Sequence, residues 1–486
     1  MKYIKHLAVV LLIISMFSVT VFAESELPYS NYTYSQKGLE IVLGPDAYVP
    51  STVIYGETLG TEAMHEPTDI RVDENGNIYI LDGGNGRILV LDKNFKLKSE
   101  IAEFQNNGAA QNFTGAKGMY VDDAYIYVAD TENSRIVILN LKDYSLAKIV
   151  PAPVSSVLGE KFNFKPISLV ADTDRLLYVV GEGVYEGIMT MDWEGTFGGF
   201  IGSNKVTPSV WEQFWMTYST VEQRSTMVQV IPQDFSSIDK DEDGFYFVTT
   251  YTTESSTMVK RLNPGGDSVL KNLSSIPTTG DPAYYWVGAQ IGNSTFYDCS
   301  CGENGIFACL DYKRGKIFVY NEDGYLLFTF GAISQQEGGF TSPLALTWLD
   351  GRRIAVLDTY RGSVTVFEPT DYALAIFEGV DAQANLDYDL AFEKWQNVLS
   401  LNTGFELAHI QVGKVYLNTG EYKKAMESFK LGNNRALYSK AMEKNRAEWL
   451  RENMTTIFVI VLALVGVYFI IKFWISVREF RKKRKH

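Results

Sequence analysis

PTDIRVDENGNIYILDGGNGRILVLDKN, residues 67–94, alternates apolar and polar side chains, breaks at Asn75-Gly76, alternates again, breaks at Gly83 to Gly86, and ends in a third apolar run. Alternation with period two marks a strand with one face toward a core, and Gly-rich breaks between such runs mark hairpin turns. The stretch therefore predicts a three-strand antiparallel meander. It recurs at Gly118 as GMYVDDAYIYVADTENSRIVILNLKD and at Pro343 as PLALTWLDGRRIAVLDTYRGSVTVFEP, with a degraded copy at Gly305, GIFACLDYKRGKIFVYNEDGYLLFTF. Asp82, Asp130, Asp311 and Asp358 fall at equivalent places, each followed five residues on by Arg87, Arg135, Lys316 or Ser363. Two further copies start at Pro166 and Gln233. Six small antiparallel sheets at a period of about fifty residues predict a six-bladed β-propeller over residues 67–370.

The fourth copy contains DKDEDG, which places Asp239, Asp241 and Asp243 two apart before Gly244, as a calcium loop of the EF-hand type begins. Such a loop needs a Glu at its twelfth position and a helix on each side. Here that position is Thr250 and both flanks alternate like strands. The run occupies the place of DENG in the first copy, so it is read as the turn between the first two strands of a blade.

The ends of the chain set its topology. Residues 1–23 carry Lys2 and Lys5, an apolar stretch from Leu7 and a small-residue site at Val21-Phe22-Ala23, the pattern of a cleaved secretory signal. Residues 24–66 follow, and GLEIVLGPDAYVPSTVIYG within them is a candidate ring-closing strand for the last blade. Residues 454–476 are apolar enough to cross a bilayer, and the tail 477–486 is basic, which marks the cytoplasmic side. The expectation is a single-pass protein of the cell membrane with its N-terminal part outside. Leader and tail are both net positive, so the intervening part is more acidic than the −14 of the whole chain. An exterior this acidic argues against nucleic acid as a partner.

The units resemble the NHL-repeat propellers: GNIYILDGGNGRIL from Gly76 and AYIYVADTENSRIV from Ala124 follow that family's pattern closely, and units three to five follow it weakly. The resemblance implies that the Asp and Arg of each unit brace hairpins and neighbouring blades. Beyond Glu368 the periodicity becomes helical. Tyr388, Ala391 and Trp395 recur 34 residues later as Tyr422, Ala425 and Phe429, and Gly413 and Tyr416 stand where a first helix would hold them. Residues 371–453 thus resemble a short stalk of tetratricopeptide repeats, without the Pro that ends such units. The whole arrangement is similar to surface proteins of Gram-positive bacteria, which implies a link to an envelope complex such as a sugar-uptake transporter.

No catalytic constellation stands out. Outside the leader and the final residue the histidines are His65 and His409, too few for a zinc site inside the ring, and no nucleophile elbow or phosphate loop occurs. Cys299, Cys301 and Cys309 cluster in CSCGENGIFAC. In an oxidising compartment Cys309 is expected to pair with one of the other two, Cys301 being the candidate partner across the turn. Connections between units are rich in aromatics, and Trp193, Trp211, Trp215, Tyr285, Trp286 and Tyr297 are either a cap packed on the ring or a recognition surface for sugar or peptide. The expected function is non-catalytic capture of a protein partner or carbohydrate at the cell surface, with no cofactor. The competing reading is a carbohydrate-active or lactone-hydrolysing propeller with calcium or another divalent metal at its axis.

Overall fold

The computed structural model describes residues 27–483 apart from 160–161, 203–233, 253–257, 272–273, 275 and 287–288. Its body is a six-bladed β-propeller. Blade I is built from Asp69–Val72, Ile78–Asp82, Arg87–Leu91 and Leu97–Ile101, each strand hydrogen-bonded to the next. Blades II, III and V repeat this meander from Gly118, Pro166 and Phe296, and blade IV has three described strands from Phe235. The first strands of successive blades touch around a ring, and that of blade VI (Pro343–Trp348) touches that of blade I. Blade VI takes its outer strand from the other end of the propeller: Tyr48–Tyr55 pairs antiparallel with Ser363–Pro369. A ring closed this way leaves no gap between first and last blade.

Middle strands such as Ile78–Asp82 and Arg87–Leu91 are buried along their whole length, because each blade is covered by a neighbour on both faces. This explains why strict alternation gives way to apolar runs there. In blades I, II, V and VI an Asp ends the second strand. Asp82 accepts from the backbone N–H of His65, from Asn85 and from Arg87, the last at 2.8 Å, and Asp130 holds Arg135 at 2.6 Å. In blade V the partner is different: Lys316 reaches across to Asp281 at 2.9 Å. The DKDEDG run ends the first strand of blade IV and forms its first turn. Asp241 accepts from Phe245 N at 2.8 Å, and Gly244 adopts φ +82°, which explains a glycine there.

Blade V begins earlier than the repeat suggests. Its first strand is Phe296–Cys301, ahead of the unit read from Gly305. That strand faces the axis with Asp298 and Ser300, so its apolar alternation is weak and it passes for a connection in the sequence.

After Pro369 five helices follow: α1 (Asp371–Ala384), α2 (Tyr388–Leu401), α3 (Glu406–Asn418), α4 (Tyr422–Leu431) and α5 (Arg435–Lys483). Thr370 and Asp387 cap α1 and α2 through their side-chain oxygens. A Cβ at Gly379 would fall 2.8 Å from the Trp395 ring, and one at Gly413 would fall 2.7 Å from the Phe429 ring. The same close approach recurs after 34 residues. The helices do not stand alone. Phe377 packs edge-on to Phe328 of blade V at 5.6 Å and to Trp348 of blade VI at 6.1 Å, within one continuous apolar core. Arg352 joins this seam by pairing with Asp381 at 2.5 Å and with Glu303 at 3.5 Å. Helix α5 runs unbroken for 49 residues, about 73 Å at 1.5 Å per residue. Its apolar part has a mean hydropathy of 2.7 and is not buried in the protein, and by length and composition it can span a membrane.

Candidate functional site

Turn hydrogen bonds fix which positions correspond between blades. Asp73, Asp172, Asp241, Gly302 and Leu349 each donate their N–H to the carbonyl oxygen four residues on, closing the turn after the first strand. Counting back four residues from each gives Asp69, Ser168, Ser237, Asp298 and Ala345 as equivalents, with Gly118 in blade II. These residues meet around the axis. Their side chains lock successive blades together: Asp69 accepts from Met119 N at 2.7 Å, Ser168 from Ile238 N at 3.2 Å, and Asp298 from Leu346 N at 2.9 Å. Ser237 donates to the other oxygen of Asp298 at 2.5 Å.

Two residues further along the first strands stand Arg71 and Asp239. Arg71 Nε donates to Met119 O at 3.0 Å and lies 3.3 Å from Asp69, while its Nη1 is 3.5 Å from Asp239. Blades I and IV are opposite in a six-membered ring, so Arg71 is a strut across the channel. Asp239 in turn accepts from Cys301 N of blade V at 2.8 Å. Above the strut remains a shallow mouth of about 140 Å³, walled by Asp69, Lys117, Ser168, Ser237, Tyr297 and Asp298 among others. It opens on the face that carries the entries to the first strands. The helices dock on the opposite face, beside the turns that follow those strands.

Burial raises the pKa of Asp69, with Arg71 opposing. Burial also pushes Asp298 up to about 6, with Arg71 opposing and Asp69 adding to the rise. Since the folded-state value lies above the ordinary 3.8, folding favours the protonated acid. The stability this brings is full below pH 3.8 and is lost as pH rises through about 6, about 3 kcal/mol in all. Urea midpoints at pH 4 and pH 7 should therefore diverge less in Asp298→Asn than in the natural protein. Equal pH dependence in both would overturn the assignment.

Among the described residues no three His, Cys, Asp or Glu side chains converge as metal ligands would. The carboxylates at the axis face the Arg71 guanidinium instead, a donor set that suits an internal ion pair.

The aromatic candidates do not form one surface. Trp193 is half-buried, edge-on to Tyr125 at 5.0 Å and under Arg175 at 4.8 Å, between blades II and III. Tyr297 lines the axial mouth and lies 5.8 Å from Tyr312 and 6.1 Å from Tyr251. Tyr285 and Trp286 belong to a small hairpin, Tyr284–Trp286 with Ala289–Ile291. Trp211 and Trp215 lie outside the described residues. The three cysteines are free thiols. Cys309 stands directly opposite Cys299 in register, whereas Cys301 stands opposite Phe307, so of the two partners open to Cys309 the register favours Cys299. Asp69, Arg71 and Asp298 are not singled out by sequence reasoning, and Asp239, assigned there to the turn of DKDEDG, lies in the strand Phe235–Lys240 before it. The available signal was ionisable residues inside strands that otherwise face a core, as in Asp69-Ile70-Arg71-Val72.

The NHL repeat family matches residues 64–91, which span the first three strands of blade I. No curated protein matches the chain. Among solved structures, virginiamycin B lyase from Staphylococcus aureus is similar at a TM-score of 0.40 and 10% identity, covering 65% of this chain and 98% of that one. A protein of unknown function from Bacteroides thetaiotaomicron is similar at 0.41 and 10%, covering 70% and 76%. A streptogramin B lyase is similar at 0.41 and 12%, covering 67% and 100%. The chain is a six-bladed propeller with an NHL repeat in its first blade, followed by five helices of which the last is long and apolar.

Proposed function

We propose that the chain is a non-catalytic binding scaffold held at the cell surface by one span. In this reading the leader is cleaved, the propeller and a tetratricopeptide-like module lie outside, and the basic tail is cytoplasmic. The observation that carries it is the Arg71–Asp239 strut with its flanking carboxylates. Charged groups at the axis are taken up in holding blades I, II, IV, V and VI together, which leaves rigid faces for recognition. The 34-residue recurrence of glycine against an aromatic ring supports the tetratricopeptide likeness, and the exposed apolar part of α5 supports the anchor. The partner class is a protein of the envelope, of the kind that a Gram-positive sugar-uptake complex provides, or a carbohydrate.

One observation favours the second reading, a carbohydrate-active or lactone-hydrolysing enzyme: burial pushes Asp298, at the axial mouth, up to about 6. Crosslinking in intact cells, followed by mild detergent extraction and mass spectrometry, decides between them. A reproducible envelope partner retained by Asp298→Asn supports the scaffold. A chain that purifies alone, with turnover of a lactone or glycan panel that Asp298→Asn abolishes, supports the enzyme.

A further inference from the structure

Among the described residues, a concavity with unmet hydrogen-bonding groups lies away from the propeller axis. Between the helices and the turns of blade V lies a cavity of about 480 Å³, in the size range of small-molecule sites. Its walls come from Asn321 to Asp323 of blade V, from α1 to α3, and from Leu437 and Lys440 of α5. Much of the lining is apolar, including Val380, Leu386, Ala391 and Val415.

Two side chains in this wall are almost completely buried yet lack a partner. Trp395 is 1% exposed and Gln411 is 3% exposed, and neither Trp395 Nε1 nor Gln411 Nε2 has a hydrogen-bond acceptor. A buried donor left unpaired costs roughly 1–3 kcal/mol, so two in one cavity mark a place that something else completes. Beside them stands Lys414, whose pKa is lowered by burial and by Lys271, with Asp323 opposing. The nearby carboxylates are already engaged: Lys271 lies 2.9 Å from Glu322 and 3.8 Å from Asp323. The cavity thus presents an indole N–H, an amide NH₂ and an ammonium among apolar residues, with Glu322 and Asp323, both near Lys271, also in its wall.

We propose that this cavity binds a small carboxylate with an apolar body, its oxygens accepting from Trp395 Nε1, Gln411 Nε2 and Lys414 Nζ. A carboxylate offers about four acceptor sites on two oxygens, which matches three donors of different kinds. A phosphate fits less well, because no arginine lines the cavity. The site goes beyond the scaffold reading: it bridges propeller and helices whatever the propeller captures.

The test uses the full chain in neutral detergent with ¹⁵N-labelled tryptophan, the Trp395 indole signal being identified by its loss in Trp395→Phe. N-acetyl-leucine is expected to shift that signal saturably, and N-acetyl-leucinamide, which lacks the charge, to leave it in place. Gln411→Met and Lys414→Met should each weaken the response at least tenfold. Gln411→Met should also raise the melting temperature without ligand, since it removes an unpaired donor; if it does not fold, Lys414→Met carries the binding test. An acetylated tetrapeptide ending in leucine separates two sources of the carboxylate: tighter binding than N-acetyl-leucine points to a chain terminus, equal binding to a free acid. No shift with either probe, an equal shift with acid and amide, or a response indifferent to both substitutions overturns the proposal.

Discussion

Arg71→Met is expected to destabilise the protein by about 3–5 kcal/mol at pH 7, the cost of leaving buried carboxylates without their counter-charge. Asp69, Asp239 and Asp298 all contribute to the field that raises the pKa of Arg71, against the burial that lowers it. Removing the guanidinium removes the main opposition to the burial that already raises Asp69 and Asp298. Both acids then take up protons at higher pH in the folded state than in the unfolded one. The stability linked to that uptake grows as pH falls, so the cost of the substitution shrinks toward pH 5. Urea unfolding of the two proteins at pH 5 and pH 8 checks this. A cost below about 1 kcal/mol, or one that is the same at both pH values, would show that the strut contributes little.

Tyr48→Ala carries a second large effect, on the order of 3–5 kcal/mol, as expected when a fully buried aromatic ring is truncated. Tyr48 is completely buried, its ring stacks on Phe330 at 4.6 Å and meets Phe328 at 5.6 Å, and its hydroxyl donates to Arg352 O. It also opens the strand Tyr48–Tyr55 that completes blade VI. Loss of the ring therefore weakens the closure of the propeller and the seam with the helices together. The thermal midpoint should fall by on the order of 10 °C, and limited proteolysis should cut first between Pro45 and Gly56. An unchanged midpoint would mean that pairing with Ser363–Pro369 holds the ring without the side chain.

What the sequence revealed follows from where each residue sits. Middle strands of a blade are sealed on both faces, so Ile78–Asp82 and Tyr125–Asp130 kept strong apolar patterns and the repeat was readable there. First strands line the axis, and their polar side chains serve the next blade instead of a core. That is why Phe296–Cys301 reads as a connection in the sequence and why the Arg71 cluster carries no repeat signal. The candidate site was least legible of all, since Arg71 and Asp239 are 168 residues apart and meet only across the closed ring. The helical period is legible because Trp395 and Phe429, 34 residues apart, each pack against a glycine of the preceding helix. Contact between those helices and blades V and VI left no periodic trace, so the cavity they enclose could not be inferred.

Helix α5 contains no proline and a single glycine, Gly466, with open space around it. The same rod that packs against α4 and lines the junction cavity through Leu437 and Lys440 continues into the apolar segment. Inserting one residue between Asn445 and Thr455 would lift the propeller by 1.5 Å and turn it through about 100° about the rod. The direction in which the axial mouth points is thus a phase angle, written in the number of residues between the last packed turn of α5 and its first apolar one.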